Sequence, residues 1–162
     1  MNVHTFKDYY ANQVRLSFMR DPFSAVPGHV WVICRYQGRW LLTVHPRRGL
    51  EFPGGKVERN EPAEAAAVRE VWEETGGKVA ELLYIGQYEV RGRADTVVKN
   101  VYFAEVDVLV EKNDYMETEG PLLLDELPKV LQKQKNYSFI MKDEVLPLSL
   151  KEIRKRQQKK RK

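Results

Sequence analysis

The sequence predicts a single mixed α/β domain, a sandwich in which strands surround a central helix and more helix follows near the end. Three observations lead there. A chain of 162 residues with 43% hydrophobic and 31% charged residues suits one domain with a real core. In "VKNVYFAEVDVLVE", Tyr102, Ala104, Val106, Val108 and Val110 alternate onto one face, as in a half-buried strand. "PAEAAAVREVWEETGG" is punctuated as a helix, with Pro62 in its first turn and Gly76 just past its end.

In chain order, "MNVHTFKDYYANQVRLSF" has no long apolar run, and residues 1–19 read as an extension packed on the domain. "HVWVICRYQGRWLLTVHP" reads as two strands joined by a turn at Gln37-Gly38. "GLEFPGG" is a short strand ending in a Pro-Gly-Gly turn, and "AELLYIGQYEV" is a further strand. "LDELPKVLQKQ" and "SFIMKDEVL" read as later helices, and Trp31, Trp40 and Trp72 are expected in the core. The lone cysteine, Cys34, excludes an internal disulfide and suggests a reducing, cytoplasmic setting. No run approaches membrane-spanning length, so no membrane partner is expected. His4, His29 and His45 lack metal-ligand spacing.

Charge is unevenly spread. Residues 151–162, "KEIRKRQQKKRK", carry eight basic and one acidic residue, so the first 150 hold −3 of the total +4. Residues 149–162 therefore read as a basic tail, with capping-box spacing at Ser149 and Glu152 that suits a short helix. A solubilising terminus is the plainer reading; a weak, salt-sensitive contact with RNA or DNA is the sharper one. Truncation after Leu150 is the natural test.

The central helix poses a chemical question. At about 100° per residue, Ala65, Val68, Val71 and Trp72 share one face, and Glu70, Glu73 and Glu74 share the other beside Ala63, Ala66 and Ala67. Those carboxylates lie in the last turn, where the helix dipole disfavours them, with only Arg69 among them. A crowd of acids placed so unfavourably asks for a cation, and oxygen-only ligands imply Mg²⁺, Mn²⁺ or Ca²⁺. The Gly54-Gly55 turn would let bare backbone approach that ion.

The stretch from Gly55 resembles the Nudix box: five residues to Glu61, seven more to Arg69, then Glu70, Glu73, Glu74 and Gly76 at the expected spacing. Gly77 departs, since an aliphatic residue usually stands there. The resemblance implies a Nudix domain over residues 20–148, an α/β/α sandwich with a mixed β-sheet. "LEFPGGKVE" is similar to the MutT-like branch. That similarity implies Mg²⁺-dependent (or Mn²⁺-dependent) hydrolysis of a nucleoside triphosphate, such as 8-oxo-dGTP, to the monophosphate and pyrophosphate. An RNA 5′-triphosphate end is the close rival, and a catalytically silent nucleotide sensor is the alternative from another class. By the same resemblance Glu70, Glu73, Glu74 and the Gly54 carbonyl bind metal, and Arg69 orients the carboxylates. Gly55, Glu61 and Gly76 support the box. "ETEGPLLLDELP" resembles the loop that carries an extra catalytic glutamate, with Glu119 the better match and Glu117 second. Glu70, Glu73 or Glu119 would accept the water's proton. Arg47, Arg48, Lys56 and Phe52 are candidates for substrate contacts. The oligomeric state is not legible.

Overall fold

The computed structural model describes residues 2–161. Its strands are β1 (His4–Lys7), β2 (Gln13–Ser17), β3 (His29–Tyr36), β4 (Arg39–His45), β5 (Gly49–Glu51), β6 (Gly54–Lys56), β7 (Gly77–Arg91), β8 (Thr96–Leu109) and β9 (Pro121–Leu124). The helices are α1 (Ala63–Thr75) and α2 (Val145–Lys160). One sheet runs β1-β2-β7-β8-β3-β4-β5, with β6 also on β3 and β9 on β4. β3 and β8 are parallel and their other neighbours antiparallel, so the sheet is mixed. The β3–β4 hairpin turns at Gln37 (φ 51°) and Gly38 (φ 76°), the paired left-handed residues that match strand twist.

Alternation along β3 divides the molecule into layers. Val30, Val32 and Cys34 face a core that includes Ala66, Ala67 and Val71 of α1. Trp31 and Ile33 face the opposite core with Phe52, Ile85 and Val145, Leu146 and Ile153 of α2. One helix therefore covers each face of the sheet, the α/β/α sandwich that the sequence implied.

The buried face of α1 differs from the expected one. Ala66, Ala67, Val71 and Glu74 are buried, while Ala65 is exposed, Val68 is 41% exposed and Trp72 36%. Small alanines let the helix sit close to the sheet, and that choice turns Glu74 inward. Trp72 instead lies beneath the Lys112 ammonium, 4.6 Å from its ring centre. Trp31 is in the core and Trp40 is half-buried. Pro62 stands at the N-cap rather than inside the first turn.

The C-terminal third also departs. "LDELPKVLQKQ" is not an α-helix: Pro128 interrupts it, and only a 3-10 turn at Leu131–Lys133 forms. The preceding leucines pair with β4 as β9, which the sequence reading missed along with β1 and β2. Within "SFIMKDEVL" only a 3-10 turn forms at Phe139–Met141, and α2 begins at Val145. The Asp143 carboxylate accepts from the Val145 N–H at 2.9 Å, satisfying one of the free donors at the helix start. α2 continues past residue 149 to Lys160, so the supposed capping box lies inside a helix. Ile153 is buried, and Arg156 donates to the carbonyls of Tyr84 and Ile85. Truncation after Leu150 would strip these contacts from the fold and is no clean test of the basic residues.

Ser149 is fully buried, and its hydroxyl has no hydrogen-bond partner among the described residues. An unsatisfied buried hydroxyl is destabilising. Ser149→Ala should therefore raise stability by about 1 kcal/mol. That corresponds to a Tm increase of roughly 2–4 °C in a thermal melt. A fall in Tm, as loss of a helix cap would give, contradicts this placement.

Candidate active site

The site lies where the β5–β6 turn meets the second half of α1. Gly54 and Gly55 are required there by close approach. A Cβ on Gly55 would stand 2.5 Å from the Glu70 carboxylate, and one on Gly54 would stand 2.5 Å from the Val30 carbonyl oxygen. At the far end of α1, Gly76 adopts the left-handed conformation (φ 75°) and its N–H returns to the Trp72 carbonyl.

Arg69 organises the acids. Its Nε donates to Glu61 Oε2 at 2.8 Å and its Nη2 to Glu61 Oε1 at 3.0 Å, a two-toothed pairing. Its Nη1 reaches Glu70 Oε1 at 2.9 Å and Glu73 Oε2 at 3.2 Å. Nη2 also donates to the Lys56 carbonyl at 2.9 Å. The Arg69 fork holds the Glu61 carboxyl below its ordinary range.

Glu74 is 7% exposed. Its Oε1 accepts weakly from the Gly54 N–H at 3.4 Å, while its buried Oε2 meets no donor among the described residues; the carboxyl lies against that of Glu70, a contact favourable only when one of the two carries a proton. The hydroxyls of Thr43 and Thr118 both donate to its backbone carbonyl, at 3.0 and 3.2 Å. Burial is the first cause that pushes the Glu74 and Glu70 carboxyls up, ahead of the mutual repulsion expected from sequence. Among the described residues, no three His, Cys, Asp or Glu side chains converge as a finished metal cluster. Arg69 draws Glu70 and Glu73 to itself instead. The donor set nonetheless fits a hard cation, because Glu70, Glu73 and Glu74 offer only oxygen donors and the buried Glu74 Oε2 meets no hydrogen-bond donor among the described residues.

These groups open onto a cavity of about 590 Å³. Gly54, Gly55, Arg69, Glu70, Glu73, Glu74, Lys56, Arg48 and Phe52 line it, as the sequence reading brought them together. Four expectations change. Glu119 is exposed and outside the lining, because it and Gly120 are tied to Val44 on β4; Glu117 lines the cavity instead. Arg47 lies outside this cavity, in a shallower neighbouring depression. Arg48 is committed to Glu51 by two hydrogen bonds of 2.9 Å. Phe52 is shut between Trp31 and Trp40, 1% exposed, and offers no face to a nucleobase.

Sequence reasoning missed His29, His45 and Lys99, which also line the cavity. Lys56, His29 and Lys99 stand side by side across β6, β3 and β8, a row visible only from strand register. His45 Nδ1 accepts from the Arg47 and Arg48 backbone N–H groups, so the neutral ring carries its proton on Nε2.

Residues 25–142 match the NUDIX domain model. The chain is 58% identical over 152 residues to the Bacillus subtilis (strain 168) protein YtkD, named as a candidate 8-oxo-dGTP diphosphatase. That match covers 94% of this chain and 96% of the relative. A crystal structure of a mutant form of the Bacillus subtilis pyrophosphohydrolase BsRppH superposes with a TM-score of 0.93 at 57% identity. It covers 94% of this chain and 96% of that one. A Nudix hydrolase from Nitrosomonas europaea shares the fold at a TM-score of 0.57 and 18% identity, over 80% of this chain and 89% of its own. The glycine turn, the acidic helix and the mixed sheet behind them thus have a shared origin: the chain belongs to the Nudix family and is a Nudix hydrolase.

Proposed function

We propose that the protein hydrolyses a nucleoside 5′-triphosphate group to the monophosphate and pyrophosphate, with a divalent cation, Mg²⁺ or Mn²⁺, at the α1 carboxylates. The observation that carries this reading is Glu74, a buried residue of the cavity lining beside Glu70 and Gly54–Gly55 of β6, whose Oε2 meets no hydrogen-bond donor among the described residues. Glu70, Glu73, Glu74 and the Gly54 carbonyl would hold the cation, which supplies charge neutralisation of the phosphate chain and a more acidic water.

The rest is the work of the chain's own residues. Arg69 orients Glu70 and Glu73, and Glu61 in turn orients Arg69. Glu70, Glu73 or Glu117 accepts the proton of the attacking water. Lys56 and Lys99 line the same cavity as the carboxylates and offer positive charge to the phosphates. The name carried by YtkD supports 8-oxo-dGTP as a substrate. A second substrate, the triphosphorylated 5′ end of RNA, carries the same phosphate chain; a cation-rich helix beginning just beyond the cavity favours it.

Glu73→Gln should lower Mg²⁺-dependent turnover by on the order of a hundredfold or more. It should leave the melting curve nearly unchanged; a nucleotide sensor would show no turnover to lose. Gly55→Ala should displace the Glu70 carboxylate and abolish most activity in a protein that still folds, checked by circular dichroism beside the assay. Arg69→Lys keeps the charge but not the fork, and should cost roughly tenfold to a hundredfold in metal affinity, read by Mn²⁺ titration. The substrate question is settled by pyrophosphate and phosphate release from dGTP, 8-oxo-dGTP, a dinucleoside tetraphosphate, ADP-ribose and a triphosphorylated RNA. Hydrolysis of none of them sinks the proposal.

A further inference from the structure

The cations of α2 are sorted by face. Val145, Leu146, Ser149 and Ile153 point into the core. Arg156 is spent on Glu152 and on two carbonyls of β7, and Lys160 pairs with Glu81 at 2.9 Å. The remaining cations of the helix, Lys151, Arg154, Lys155 and Lys159, are all exposed, as is Arg161 at its C-cap. Among the described residues none of their side chains has a hydrogen-bond or salt-bridge partner. At about 100° per residue these five lie within one outward half of the helix, which contains no acid.

This arrangement has a local cost. Lys151, Lys155 and Lys159 repeat at i, i+4, where like charges repel. The negative helix end accounts for Lys159, but Lys151, Arg154 and Lys155 precede the last turn. Meanwhile the first 150 residues carry −3, so the chain's net positive charge comes from residues 151–162.

Position adds to the argument. α2 follows the Phe139–Met141 turn, and Phe139 and Ile140 line the catalytic cavity. It then runs along β7, from the cavity edge to Glu81 at the opposite end of that strand, some 24 Å at about 1.5 Å per residue. Successive lysines of the row stand about 6 Å apart on a rigid rod.

We propose that the outward face of α2 binds the sugar-phosphate backbone of a single-stranded RNA whose 5′ end enters the cavity. The proposal rests on the reading of an RNA 5′-triphosphate as substrate. No aromatic side chain lies on this half of the helix, so the contact is electrostatic and indifferent to sequence. It would hold the strand while leaving a free nucleoside triphosphate, too short to reach α2, unaffected.

The test replaces Lys151, Arg154, Lys155 and Lys159 together by Gln, side chains whose loss removes no contact in the fold. Binding of a 5′-monophosphorylated RNA of roughly 20 nucleotides is read by fluorescence anisotropy at several salt concentrations. Affinity should fall at least tenfold at low salt, and the slope of log affinity against log salt should shrink by about three, four cations at about 0.7 each. Turnover of a free nucleoside triphosphate should be unchanged. Unchanged RNA affinity and slope overturn the proposal. So does a loss confined to anionic phosphatidylserine vesicles, which would make the face a membrane contact. If the native protein binds the strand through this face yet releases no pyrophosphate from a triphosphorylated RNA, the docking face stands and the RNA-end substrate falls.

Discussion

The site depends on one guanidinium. Among the described residues Arg69 is the single cation paired with Glu61, Glu70 and Glu73, and the same fork takes the Lys56 carbonyl. It therefore joins the loop before α1, the helix itself and β6 in one network. Without it, acids on adjacent turns would repel one another at the disfavoured end of a helix. The planar five-donor geometry is what lets one side chain serve four acceptors, which an ammonium cannot match. Arg69 fixes Glu70 and Glu73 and leaves Glu74 to the interior, so the three carboxylates have different environments despite their proximity in sequence.

Packing explains why Glu74 is the buried member. α1 presents Ala66, Ala67 and Val71 to the sheet, and the small side chains draw the helix in close. One further turn along that face comes Glu74, which arrives against Gly54. Thr43 from β4 and Thr118 from the loop before β9 clamp its backbone carbonyl, so the end of the helix is held from two sides. A glycine pair is needed on the opposing wall because any Cβ there collides with Glu70 or the Val30 carbonyl oxygen. The burial that makes this carboxylate costly as an anion is the same feature that suits it to a metal ligand.

Much of this was legible beforehand, and the failures have physical causes. Box spacing located Arg69, Glu61 and the three helical carboxylates, because helical periodicity and a glycine turn are local properties. Trp72 was misplaced because hydrophobicity alone chose the buried face, whereas the sheet selected for small size. The resemblance ranks Glu119 above Glu117, whereas the structure puts Glu117 in the lining, because no local pattern shows that Glu119 is the loop residue paired with Val44. The row of Lys56, His29 and Lys99 joins residues from three strands, and no local pattern encodes that register. The end of the chain was read as a tail because its charge dominates; the short apolar pattern of Val145, Leu146, Ser149 and Ile153 underneath is what docks it as a helix.

The proposed cation site joins buried Glu74 to Glu70, Glu73 and the Gly54 carbonyl against the Arg69 network. Anomalous diffraction from crystals of the protein grown with Mn²⁺ measures that directly. An anomalous peak is expected between the α1 carboxylates and the Gly54 carbonyl, with a Glu74 oxygen at bonding distance. A peak that excludes Glu74, or a well-ordered site that stays free of Mn²⁺ at millimolar concentration, would contradict it.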